Sequence, residues 1–228
     1  MRKRYLCALF AALSALFVAV AALQTRNNLP TVADSRPLIL LDAGHGGFDG
    51  GTVASDDTVE KDINLEVTTD LSVVLRLLGY RVSTTRKTDT ALDDDPAKTI
   101  RERKRADMAA RLALYDAASL VISIHQNHFP DASCRGTQVF YSTNHPDSEV
   151  LAEKIRQATV SRLQPDNRRA CKAGGKDILL LHKTTSPAVI VECGFLSNPE
   201  ERALLKSEHY RRRLALAFAD GIVQFQPT

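Results

Sequence analysis

Three short stretches concentrate the residue types that do chemistry. Asp42-Ala43-Gly44-His45-Gly46-Gly47, Ser123-Ile124-His125-Gln126-Asn127 and Val191-Glu192-Cys193-Gly194-Phe195 all sit at the ends of apolar runs. Two of these runs finish in a histidine and the third in a glutamate. Two neutral imidazoles and one carboxylate are a usual ligand set for a catalytic zinc, with the fourth position left to water. The glycines beside His45 let the chain turn tightly enough to aim the ring at a shared centre. The same residues also suit a glycine turn beside a hydrogen-bonded core histidine, and spacing alone does not choose.

Other chemistries fit less well. Gly44-His45-Gly46-Gly47 lacks the lysine of a phosphate-cradling loop and the glycine spacing of a dinucleotide fingerprint. No G-x-S-x-G stretch is present to make a serine nucleophile elbow. Cys193 follows a buried strand, where a small cysteine usually packs rather than attacks.

The elements needed to position these residues are legible in the apolar pattern. Leu38–Leu41, Tyr80–Thr85, Leu120–Ile124, Gly136–Tyr141 and Ala188–Val191 read as strands. Leu65, Leu71, Val74, Leu75 and Leu78 fall at helical spacing, with Gly79 to close the helix. Pro96–Ala118 and Ser148–Leu163 read as helices, and Pro199–Phe225 as a terminal helix or helix pair. Strands separated by helices predict a single α/β domain: a mostly parallel twisted sheet with helices on both faces. In such sheets functional groups collect in the loops at the carboxyl ends of strands, where all three stretches lie.

Composition bounds the rest. The chain has 228 residues, enough for one sizeable core and too few for two comfortable domains. Thirty basic residues against 27 acidic ones leave a net charge of +3, which excludes a strongly basic nucleic-acid binder. The four cysteines contain no C-x-x-C pair, so zinc-finger spacing is excluded. Arg2, Lys3 and Arg4 precede an uncharged run, Leu6 to Leu23. Residues 1–23 therefore read as a signal peptide or an N-terminal membrane anchor, 24–35 as a linker and 36–228 as the catalytic domain. That places the domain outside the cytoplasm, secreted or anchored, with the membrane met only through the N-terminal segment.

Taken together, Asp42 to Gly51, Glu60-Lys61-Asp62-Ile63-Asn64-Leu65, Thr85-Arg86, Ser123 to Asn127 and Pro187 to Asn198 resemble the zinc-dependent N-acetylmuramoyl-L-alanine amidases of bacterial cell walls, the amidase-3 family. The resemblance runs from about Leu38 to Phe225. Asp49-Gly50-Gly51, Arg101 to Asp107 and Gly136 to Tyr141 are most similar to the sporulation subgroup, which acts on spore-cortex peptidoglycan. The resemblance implies that His45, Glu60 and His125 hold Zn2+ and that Glu192 is the catalytic acid/base. It implies peptidoglycan glycan strands with stem peptides as substrate, and it admits an activating partner protein. Read without it, Glu60 is only an acidic residue at a helix start, favoured by the helix dipole. This sequence departs from many relatives at Gly50 (proline there), at Asp57 (glycine) and at Tyr115-Asp116 (Ala-Asn).

Lesser expectations follow. Asp42 and Asn127 are placed to orient the two histidines or to bond backbone. Arg86 reads as a surface residue or a grip on substrate carboxylates, and Arg101–Arg111 as a solvated basic face. Of His128, His145, His182 and His209, His182 is the one expected near the cleft. Cys134 and Cys171 form the only sensible disulfide pair beside a buried Cys193. Between His125 and Glu192 no spare amphipathic helix is left to cover the metal, so an open site is expected. Two other functions share this chemistry: a non-catalytic peptidoglycan binder of the same fold, and a zinc carboxypeptidase acting on stem peptides.

Overall fold

Leu38–Leu41, Leu120–Ile122 and Ala188–Val191 are apolar without polar interruption, so these central strands must be buried on both faces. The computed structural model describes residues 36–225; the leader and linker expected over residues 1–35 lie outside the described residues. Its elements are β1 (Leu38–Ala43), α1 (Glu60–Leu77), β2 (Arg81–Thr84), α2 (Ile100–Asp116), β3 (Leu120–Asn127), β4 (Gln138–Tyr141), α3 (Asp147–Arg162), β5 (Lys172–Ala173), α4 (Leu179–Lys183), β6 (Ala188–Phe195), α5 (Pro199–Lys206) and α6 (Glu208–Gln224). The strands lie in the order β2-β1-β3-β6-β4-β5. All neighbouring pairs are parallel except β4 with β6, which is antiparallel. The two-residue β5 and five-residue α4 are too short to show a period, and sequence patterning passes over them.

Alternation along the strands divides the core in two. Ile39, Leu41, Ile122, Ile124, Val189 and Val191 pack under α1, α3 and α6. Leu40, Val121, Ala188 and Ile190 meet Tyr115 of α2 and Leu180 and Leu181 of α4 on the other face. The sheet is thus covered by helices on both sides, as expected of a single α/β domain.

Helix boundaries follow from caps. α1 buries Ile63, Val67, Leu71 and Leu75 at four-residue spacing, and carries Glu60 and Asp62 in its first turn. α2 begins at Ile100, not at Pro96, because Thr99 caps it. The Thr99 side chain accepts from the Glu102 backbone N–H while the Glu102 carboxylate accepts from that of Thr99. Such a reciprocal cap stabilises a helix by about 0.5–2 kcal/mol. Among the described residues no helix is long and apolar enough to cross a membrane.

The topology brings the three chemical stretches together. From β1 the chain crosses to β2 on one side and then returns to β3 on the other, so the crevice opens at the carboxyl end of β1 and β3. β6 lies beside β3 in parallel, with Glu192 directly opposite His125.

Candidate active site

The turn after β1 is held by two buried arginines. Arg86, 5 % exposed, donates from Nε to the Ala43 carbonyl at 3.0 Å and from Nη2 to those of Gly44 and Lys61 at 3.1 and 2.7 Å. Arg111, 1 % exposed, donates to the Ala43 and His45 carbonyls at 3.1 and 2.6 Å. Its charge is balanced by Asp107 at 2.7 Å and by Asp42. Asp42 also accepts from Thr85, Tyr115 and Ser123. Burial pushes the Asp42 carboxyl up, but Arg111, the Tyr115 and Ser123 hydroxyls and the field of His125 outweigh it and hold it below its ordinary value.

Three expectations are corrected here. Arg86 is neither at the surface nor free for substrate, because its guanidinium is spent on backbone carbonyls. The Arg101–Arg111 face is not wholly solvated, since its last member is buried beneath the site. Asp42 does not reach the histidines; it neutralises the arginine that holds their turn.

On this frame stand His45, Glu60 and His125, each offering one ligand atom, all within 4.8 Å of one another. His45 leaves β1 with φ +61°, a conformation that non-glycine residues rarely adopt. Its Nδ1 donates to Asp49 at 3.1 Å, turning Nε2 toward Glu60 Oε1 at 3.3 Å. His125 Nδ1 meets the same oxygen at 3.1 Å. Glu60, 3 % exposed, is fixed further by the backbone N–H groups of Thr52 and Gln126, at 2.9 and 3.1 Å. Asn64, one turn along α1, donates to the Gly44 carbonyl at 3.1 Å and accepts from Gln126 at 3.0 Å.

Electrostatics match a cation site. Burial pushes Glu60 up, yet hydrogen bonds from His125 and His45 dominate and hold it well below the carboxylate range. Burial pulls His45 down, but hydrogen bonds to Asp49 and Glu60 raise it to about 9. A proton thus occupies the ring where a metal would compete for it. Two glycines make the close approach possible. A Cβ on Gly44 would overlap the His125 ring, and one on Gly51 (φ +67°) would lie 2.6 Å from Glu60 Oε2.

Glu192 reaches the same cavity from β6. Its Oε2 is buried without a hydrogen-bond partner, and burial lifts its carboxyl to about 7. The cavity, about 450 Å³, is lined by these four residues with Asp49, Lys104 and the Gln126-Asn127-His128 turn. No residue of α3, β5 or α4 lines it.

Sequence reasoning missed Asp49, Asn64 and Gln126, although the Asp49 spacing of four from His45 was visible. His128, not His182, lines the cavity. Asp57 has φ +62°, a backbone conformation that glycine adopts without strain. Cys134, Cys171 and Cys193 are all free thiols, so the expected Cys134–Cys171 bridge is not formed.

The sequence pattern described as N-acetylmuramoyl-L-alanine amidase (amidase-3) matches residues 39–224. The germination-specific N-acetylmuramoyl-L-alanine amidase of Bacillus subtilis is 36% identical over 193 residues, 84% of this chain and 80% of the relative. The CwlD amidase of Clostridioides difficile, solved in complex with the GerS lipoprotein, has a TM-score of 0.80 at 36% identity, covering 83% of this chain and 98% of that one. A second amidase, from Clostridium difficile 630, has a TM-score of 0.72 at 26% identity, covering 83% of this chain and 96% of that one.

Proposed function

Since the chain belongs to the N-acetylmuramoyl-L-alanine amidase family, and so hydrolyses the amide between N-acetylmuramic acid and L-alanine, we propose that it does so with zinc held by His45, Glu60 and His125 and with Glu192 as acid/base. One observation carries the reading: three convergent ligand atoms within 4.8 Å share a cavity with a carboxylate whose Oε2 is buried without a partner.

The residues present fit the metal. Two imidazoles and a carboxylate are a catalytic zinc donor set, and Asp49 on His45 Nδ1 fixes which nitrogen faces the centre. When bound, zinc polarises the scissile carbonyl and lowers the pKa of water. Glu192 takes the proton of the attacking water and returns it to the leaving amine. A carboxyl at about 7 suits both proton transfers near neutral pH. Glu60, held ionised, and the two rings take no part in the proton transfers. Arg86 and Arg111 keep the His45 turn in place.

Likeness to the germination-specific enzyme supports spore cortex as the wall acted on, and likeness to CwlD bound to a lipoprotein supports a partner protein for this chain. A peptidoglycan substrate sets its work outside the cytoplasm, by secretion or anchoring through residues 1–23. Mass spectrometry of wall fragments after incubation with purified protein and zinc tests the function. A new amino terminus on L-alanine is expected; release of a free terminal amino acid would make it a carboxypeptidase, and intact wall a binder.

A further inference from the structure

We propose that the cleft continues past Glu192 into an arm over β4 and β5, where Lys172 and Arg169 bind the carboxylates of the departing stem peptide. The inference rests on the amidase reading and names the end of the substrate that this arm recognises.

The register of the sheet lays out the path. His125 of β3 pairs with Glu192 of β6, Glu192 with Gln138 of β4, and Phe140 of β4 with Lys172 of β5. Paired residues share a face, and so do residues two apart, so all five project to the same side. Lys172 stands two strands across and two residues along from Glu192, a backbone separation of about 12 Å at ordinary strand spacing. An extended peptide spans that distance in about three or four residues.

The space along this path is formed. A second cavity, about 360 Å³, is lined by Asn127, Phe129, Gln138, Phe140, Arg169, Lys172 and Phe195, with Cys134. Asn127 lines the catalytic cavity as well, so the two adjoin. Its charged residues are two cations with no acid between them, whereas the catalytic cavity holds Asp49, Glu60 and Glu192. Arg169 is held in place from two sides. Its Nε donates to the Arg135 carbonyl at 2.8 Å, and its guanidinium lies 4.4 Å above the Phe195 ring. Neither cation lies within 4 Å of a carboxylate among the described residues, and Arg169 acts only at longer range on the buried Glu201. Phe129, 52 % exposed, offers apolar contact beside them.

Charge chooses the occupant. The scissile amide has a glycan on its carbonyl side and a peptide on its nitrogen side. The sugar backbone presents hydroxyl and acetamido groups, while every peptide ends in a carboxylate. An arm whose only charges are positive therefore suits the peptide, leaving the glycan to the opposite side of the metal.

The test compares two soluble muramoyl-peptides, one with free peptide carboxyls and one with those carboxyls amidated, using the zinc-loaded full chain. Wild type should have the higher kcat/KM on the free acid. In Arg169→Gln/Lys172→Gln the ratio of the two should fall by about three- to twentyfold, as the loss of two partly exposed ion pairs allows. Lys172→Arg should keep most of the preference. Should the double variant fold poorly, Lys172→Glu, at the exposed sheet edge, must lower or reverse the ratio. Equal kcat/KM on both substrates in wild type, or an unchanged ratio in the variants, overturns the arm and leaves the amidase intact. Cleavage of neither substrate by wild type overturns the amidase reading and the arm with it.

Discussion

The guanidinium of Arg111 donates to the backbone carbonyl of His45 at 2.6 Å, across 66 positions of sequence. A residue in the middle of a charged helix thereby fixes the turn that carries a proposed metal ligand. It can do so because Asp42 and Asp107 neutralise it in place. A buried charge so paired is costly to break from either side.

Arg111→Met should destabilise the protein by about 3–5 kcal/mol at neutral pH, because Asp42 is left buried without its cation. Arg111→Lys should rescue little, since one ammonium cannot span Asp42, Asp107 and two carbonyls. The pH dependence is diagnostic. In wild type the Asp42 pKa is depressed, so its contribution is present above the ordinary value of 3.8 and is lost as pH falls through the lower folded value. In Arg111→Met burial loses its strongest opponent and the folded pKa rises, so the deficit should shrink as pH falls from 7 toward 4. Urea denaturation across that range measures it; a deficit independent of pH would refute the role of Asp42.

The purified chain should retain one zinc after dialysis, and His125→Ala should lose it. Affinity should weaken as pH falls from about 9 toward 6, because the His45 proton must leave before metal enters. Below its ordinary value of 6.5, that proton's full stabilisation is present in the metal-free protein, and it fades as pH rises through about 9. Titration calorimetry in buffers of different ionisation heat should find about one proton released per zinc at pH 7. Stoichiometric zinc in His125→Ala would remove that residue from the ligand set.

Glu192→Gln keeps the side-chain shape and removes the proton-accepting group. Turnover should fall by roughly a hundredfold or more with zinc content unchanged. A rate near that of wild type would assign the proton transfer elsewhere.

Loop geometry gives a paired prediction. Gly51→Ala should abolish metal binding, because its Cβ would lie 2.6 Å from Glu60 Oε2 and 2.7 Å from the His45 ring. Asp57→Gly should be tolerated or mildly stabilising, since φ is +62° there, while Asp57→Val should destabilise by about 1–2 kcal/mol. Thermal melts and zinc analysis of the three variants read both effects; a Gly51→Ala protein with full zinc would contradict the packing.

The amino-acid sequence by itself determined the layered α/β fold, because uninterrupted apolar runs and period-3.6 burial are written locally in residues such as Leu38–Leu41 and Leu71–Leu75. It marked His45, His125 and Glu192 as chemical, because polar residues at the ends of fully apolar strands have few other reasons to be there. Glu60 was legible only by family resemblance, since a carboxylate at a helix start looks the same whether it faces solvent or two imidazoles. Tertiary structure alone decided the rest. Arg86 and Arg111 look like surface cations until strands from distant parts of the chain surround them, and Asp42 turns out to serve Arg111 rather than a histidine. The partner of a buried charge lies across the fold, at a separation no local pattern encodes; that is why the support of this site, unlike its proposed ligands, could not be read from the chain.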